Sequence, residues 1–149
     1  MQKLNFPEYE FSIRNVAKKT QIFDQTRKRY YVLTPEEWVR QHLVEFLVHE
    51  RNFPRSLLEI EKSLTLNKMQ KRADLLVRDK SGNPILLAEC KAPDVKVTQK
   101  TFDQAGRYNM VFRVPYLLIT NGVEHFCAQI DFSRNSYKFL RDIPSYEEL

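Results

Sequence analysis

Apolar and polar positions run in two rhythms along this chain, and their order predicts its elements. Two aromatic, β-rich pieces come first, around residues 9–13 and over 21–33, and the polar run Asp24-Gln-Thr-Arg-Lys28 suits a hairpin turn. A helix opens next: Thr34 is the expected N-cap, Pro35 fits the first helical position, and Glu37 completes a capping box. Val39, Leu43, Phe46 and Leu47 follow at helical spacing, so this helix runs to residue 51 or so, before Phe53-Pro54. Residues 57–66 alternate in part and predict a strand, 73–78 predict the next, and Lys80-Ser-Gly-Asn supplies a turn with Gly82 available for positive φ. Residues 85–91 form a central strand that Pro93 stops. A second helix is expected over 98–111, then an apolar strand over 115–120. Asn121-Gly122 is a hairpin signal leading into 123–130, and 137–149 read as a short helix or a tail.

This order (hairpin, helix, three strands, helix, two strands) implies an α/β or α+β fold with a mixed sheet flanked by helices. A single domain is expected over 1–149, with a β-rich extension at 1–33, a core at 34–130 and a tail at 131–149. Composition agrees with one globular domain: 149 residues, 42% hydrophobic and 29% charged. No apolar run approaches the roughly 20 residues of a membrane helix, and the first residues have no apolar secretion core. The expected location is therefore cytoplasmic, with no membrane partner. Cys90 and Cys127 show neither metal-ligand nor disulfide spacing and read as reduced, buried thiols. The net charge of +5 is compatible with a polyanionic partner and by itself decides nothing.

The candidate chemistry lies in the central strands. Asp74 precedes a Glu89-Cys-Lys91 triplet by fifteen positions, and that triplet ends an otherwise apolar strand. A carboxylate and an amine there are costly to desolvate unless paired or bound to a metal. Side chains alternate along a strand, so Glu89 and Lys91 share a face about 7 Å apart. The short turn at 80–83 makes the Asp74 strand an antiparallel neighbour and can bring Asp74 beside Glu89. Two close carboxylates repel, and a divalent cation removes the repulsion. Oxygen ligands suit Mg²⁺, with Mn²⁺ as a substitute. Such an ion lowers the pKa of bound water and stabilises charge on a phosphoryl oxygen. Lys91 can hold or deprotonate the attacking water, or neutralise the phosphate in the transition state. The bland alternative for these three residues is a structural ion-pair cluster at a sheet edge.

Asp74, Glu89 and Lys91 resemble the signature of the PD-(D/E)xK nuclease superfamily, although Ala73 stands where the pattern has proline. The longer text is similar to the N-terminal nuclease domain of type I restriction enzyme R subunits, in its small stand-alone bacterial form. The matching runs, in order, are Thr-Pro-Glu-Glu-Trp-Val-Arg-Gln (34–41), Lys-Arg-Ala-Asp (71–74), Glu-Cys-Lys-Ala-Pro (89–93), Phe-Asp-Gln-Ala-Gly-Arg-Tyr-Asn (102–109) and Thr-Asn-Gly (120–122). The resemblance implies a restriction-endonuclease-like core and a Glu from the first helix near the metal. Glu36 continues the inward stripe of Val39 and Leu43 and is preferred; Glu37 stays open but already serves the capping box. The resemblance also implies a Gln-x-x-x-Tyr pair, here Gln104 and Tyr108, one helical turn apart and helping to position the site or contact DNA. Their bland reading is a half-buried tyrosine beside a surface glutamine, and for Glu36 an acid favoured by the helix dipole.

The expected catalytic set is thus Asp74, Glu89, Lys91, Glu36, Gln104 and Tyr108, with Asp74, Glu89 and Glu36 on the metal. Arg72, Lys96, Lys100 and Arg107 are the first choices for phosphate contacts. The implied activity is that of a Mg²⁺-dependent endodeoxyribonuclease in a restriction–modification system. Its partners would be DNA, with a second copy or other restriction-system subunits besides. A catalytically silent or partner-dependent DNA-binding module with the same fold is the alternative, and a domain that binds no nucleic acid is the third option.

Overall fold

The computed structural model describes residues 1–149. Three short strands come first, β1 (Ile13–Val16), β2 (Lys19–Asp24) and β3 (Arg29–Val32), in a separate antiparallel sheet. The polar run at 24–28 is its second turn, as expected. The first turn, Ala17-Lys18, takes positive φ at both residues without a glycine, so no turn signal marked it. Residues 9–12 are not a strand.

Helix α1 (Pro35–Glu50) begins where the sequence places it, with the Thr34 hydroxyl accepting from the Glu37 N–H at 3.0 Å. The main sheet then runs β4 (Leu58–Leu66), β5 (Met69–Arg78), β6 (Pro84–Cys90), β7 (Tyr116–Thr120), β8 (His125–Asp131) and β9 (Ser136–Phe139) in spatial order, with α2 (Gln99–Phe112) between β6 and β7. Only β6–β7 is a parallel pair, because only there does a helix carry the chain back across the sheet. The final segment supplies β9 and a short 3₁₀ turn (Tyr146–Glu148) in place of the expected helix or tail.

The two helices cover opposite faces. Val39, Leu43 and Leu47 of α1 pack on Leu75, Val77, Leu86, Ala88 and Leu118. Phe102 and Ala105 of α2 pack on Leu76, Leu87, Leu117 and Ile119. Adjacent strand residues thus enter different clusters, which is the alternation that apolar runs require when both faces are buried. Both cysteines are free and buried.

The N-terminal segment closes over the outer side of α1. Trp38 Nε1 donates to the Gln2 carbonyl at 2.7 Å, Asn5 N donates to the Gly122 carbonyl at 2.7 Å, and Phe6 stacks between His42 and His125. His125 Nε2 donates to the Asn5 carbonyl, so its Nδ1 accepts from Thr120. Burial pushes both imidazoles below their ordinary pKa. The folded protein therefore holds them neutral, while the unfolded chain takes up protons from about pH 6.5 downward. Their contribution is complete above that pH and falls as the pH drops below it. Thermal melting is expected to show a lower midpoint near pH 5 than at pH 8, and a flat profile over that window would contradict it.

Candidate functional site

The site starts at a fork in the sheet. β5 pairs with β4 from Met69 to Val77, with one gap at Asp74, but its ladder to β6 ends at Leu75↔Ala88. Beyond that point β4 and β5 leave the sheet as a two-stranded arm. The N–H of Cys90, which no longer meets a β5 carbonyl, donates instead to Asp74 Oδ2 at 2.7 Å. Asp74 thus occupies the mouth of the fork, on a backbone group next to Glu89. Opposite it, Glu61 has a positive φ of 56°, and the β4–β5 register skips the Glu61–Asp74 position. That distortion breaks the alternation: Ala73 joins the core under α2, whereas Leu75 joins the core under α1.

The side chains of Asp74 and Glu89 diverge from there. Asp74 Oδ1 accepts from Arg40 Nη2 of α1 at 3.1 Å. Glu89 instead faces α2, where Lys71 Nζ lies 2.6 Å from its Oε1 and Lys91 Nζ 4.0 Å from its Oε2. Lys71, Glu89, Lys91, Thr101, Gln104 and Tyr108 line one hollow of about 120 Å³. Gln104 and Tyr108 also line an adjoining open cleft of about 520 Å³ with Met69, Lys100 and Arg107. The Lys71 ammonium sits 5.1 Å from the Tyr108 ring centroid. The structure therefore gathers Glu89, Lys91, Gln104 and Tyr108, with Lys100 and Arg107 at the rim. Asp74 is a neighbour through the backbone rather than a member of the hollow.

Glu36 is not in this neighbourhood. It is exposed, and the inward acid of α1 is Glu37, which is buried. Glu37 Oε1 accepts from Arg40 Nη1 at 2.9 Å and from Arg27 Nη2 at 2.8 Å, and its Oε2 accepts from Gln41 at 3.1 Å. The preference for Glu36 is corrected on this geometry. Thr34 N bonds the Val32 carbonyl, so the return half of the capping box is unmade and the Glu37 side chain is free to turn inward. Arg72 is held by Glu61 at 2.7 Å, and Lys96 is an exposed loop residue that lines neither hollow.

Arg40 is the residue that sequence reasoning missed. It is only 6% exposed and touches three carboxylates, Glu37, Asp74 and, at 3.5 Å, Glu61. Burial alone would lower its pKa, but Glu37 and then Asp74 reverse this and raise it, so the guanidinium stays charged. The available signal was Glu37, Arg40 and Gln41 at i, i+3 and i+4, one helix face. Burial, and then Asp74, push the Cys90 thiol well above its ordinary pKa, so it is a neutral packing group.

No three His, Cys, Asp or Glu side chains converge closely enough to form a metal cluster. Asp74 and Glu89 are oxygen donors of the kind a hard cation takes, but Asp74 is turned to Arg40 and Glu89 to Lys71, so one ion could be held by both only after these pairs open. The Lys91 ammonium is 4.0 Å from Glu89 Oε2, beyond hydrogen-bond reach, so Lys71 is the closer cation to this carboxylate.

The fold is shared with a fragment described as an HsdR subunit of a type I restriction enzyme from Vibrio vulnificus YJ016, with a TM-score of 0.57 and 22% identity over 78% of this chain. The chain spans 24% of the length of that protein. This architecture is a mixed six-stranded sheet between two helices, with acids at a strand fork. The profile of the type I restriction enzyme R protein N terminus matches residues 35–144, and the chain belongs to that family. No curated protein matches it. No helix is long and apolar enough to cross a membrane.

Proposed function

We propose that this domain is a Mg²⁺-dependent endodeoxyribonuclease of a restriction–modification system, acting on DNA in the cytoplasm. The observation that carries the reading is the fork: Glu89, Lys91, Gln104 and Tyr108 share one hollow, and Asp74 is bonded to the backbone beside it. Asp74 and Glu89 would hold the ion once released from Arg40 and Lys71, and the ion would supply Lewis acidity and an activated water. Lys91 lines the same hollow as Glu89, its ammonium 4.0 Å from Oε2, and can hold the water or the phosphoryl charge. Gln104 and Tyr108 border the same space and position the backbone, while Lys100 and Arg107 meet flanking phosphates. Incubating supercoiled plasmid with the protein tests this. Nicking with Mg²⁺ or Mn²⁺ and none with chelator is expected; intact plasmid with every metal would refute it.

A second reading has its own support. Arg40 and Lys71 already neutralise Asp74 and Glu89, which describes a resting site. A partner subunit or bound DNA would then be needed to free the acids. Salt-sensitive duplex binding without cleavage, followed by cleavage on adding other subunits of the system, distinguishes this partner-dependent module from an autonomous enzyme.

A further inference from the structure

We propose that the β4–β5 arm is a groove-reading ribbon for duplex DNA, an inference that rests on the nuclease reading and assigns it a recognition element. Beyond the fork, residues 61–73 pair only with each other and end in the two-residue turn Asn67-Lys68, where both residues have positive φ. The pairs Leu64↔Lys71 and Leu66↔Met69 belong to the face that Leu64 and Met69 turn toward α2. The alternate pairs, Ser63↔Arg72 and Thr65↔Gln70, make the outward face. All four are exposed, and no apolar side chain interrupts them.

The composition of this face is specific. Solvated strand faces commonly carry lysine and glutamate for solubility. Here the four side chains are Ser, Thr, Gln and Arg, the types that bond base edges: Arg to guanine, Gln to adenine, Ser and Thr to either. Within the chain only Arg72 among them has a partner, Glu61. Lys62, Lys71 and Arg72 have carboxylate partners in Glu59, Glu89 and Glu61, which leaves Lys68 at the tip as the arm's cation without an ion pair, placed to meet a phosphate. A two-stranded ribbon fits the B-form major groove, about 12 Å wide. Gln70, Arg72 and Asp74 follow at every second position, so a base bound at Gln70 would lie about 13 Å along the strand from Asp74. Recognition and the candidate site then share one strand. The deep, narrow major groove of duplex RNA does not admit the ribbon.

The test is fluorescence anisotropy of a labelled duplex with chelator present, so that cleavage plays no part. The Thr65→Ala/Gln70→Ala double variant is expected to bind about tenfold more weakly or worse. Lys68→Ala should reduce the salt slope by about one. Lys138→Ala, on β9 at the far edge of the sheet, should bind as wild type. Unchanged thermal melting checks that each variant is folded, and duplex RNA of the same sequence should bind more weakly. If wild type binds duplex and both ribbon variants match it while Arg107→Ala weakens binding, the ribbon is overturned and the nuclease reading stands. If wild type binds no duplex at low salt, both fall.

Discussion

Lys91→Ala is expected to lower plasmid nicking by about 100-fold or more, as loss of a proton-transfer or charge-stabilising group does, while the thermal midpoint barely moves. The two halves of this expectation come from different contacts. Lys91 is the first residue after β6, and its backbone N–H donates to the Thr120 carbonyl at 2.8 Å, a bond that alanine keeps. Its side chain is 37% exposed and its ammonium 4.0 Å from Glu89, too far for a hydrogen bond and open to solvent screening. Glu89 keeps Lys71 at 2.6 Å, so the substitution leaves no buried charge alone. Stability should therefore change by less than about 1 kcal/mol. Single-turnover nicking beside a melting curve measures both. Wild-type nicking by the variant would remove Lys91 from the chemistry, and a large fall in the midpoint would show it to be structural.

The elements that lie on strong local signals were legible in the chain. Thr34-Pro35 starts α1, Gly82 allows the turn between β5 and β6 with φ of 89°, and Asn121-Gly122 turns β7 into β8. The two pairs were legible as well: a strand period of two fixes Glu89 and Lys91 on one face and a helical i, i+4 spacing does so for Gln104 and Tyr108, while only the family resemblance implied that the pairs meet. What escaped depends on departures from those periods. The turns at Ala17-Lys18 and Asn67-Lys68 adopt left-handed backbone without glycine, so the β1–β2 hairpin and the first residues of β5 carried no mark. The irregularity at Glu61 is of the same kind. Strict alternation puts Asp74 and Glu89 side by side, yet the break sends the Asp74 carboxylate to Arg40 and leaves Glu89 facing α2. The choice between Glu36 and Glu37 failed for a related reason: a capping box was assumed to use up the Glu37 side chain, when only its N–H is used. Tertiary demand, here a buried guanidinium in need of partners, decided the outcome.

That guanidinium carries the second large expectation. Arg40→Ala should destabilise the fold by about 3 kcal/mol, the lower end for breaking a buried ion pair because two of its three partners are part-exposed. The carboxylates would not suffer equally. Glu37 keeps Arg27 and Gln41, and Glu61 keeps Arg72, but Asp74 retains only the Cys90 N–H. Asp74 in the fork is thus the group left least compensated. Arg40→Lys should recover only part of the loss, since one ammonium cannot span Glu37 and Asp74 as the two guanidinium nitrogens do at 2.9 and 3.1 Å. The same contacts reverse what spacing alone predicts for Asp74→Ala. If Asp74 and Glu89 only repelled each other, removing one would leave stability little changed or raise it. With Asp74 bound to Arg40, its removal deprives a buried cation of a partner and should lower stability, although less than Arg40→Ala because Glu37 and Glu61 remain. Urea unfolding of the three variants gives the order: Arg40→Ala least stable, Asp74→Ala between it and wild type, Arg40→Lys above Arg40→Ala. A gain in stability for Asp74→Ala would mean that carboxylate repulsion, and not the Arg40 pair, dominates at the fork.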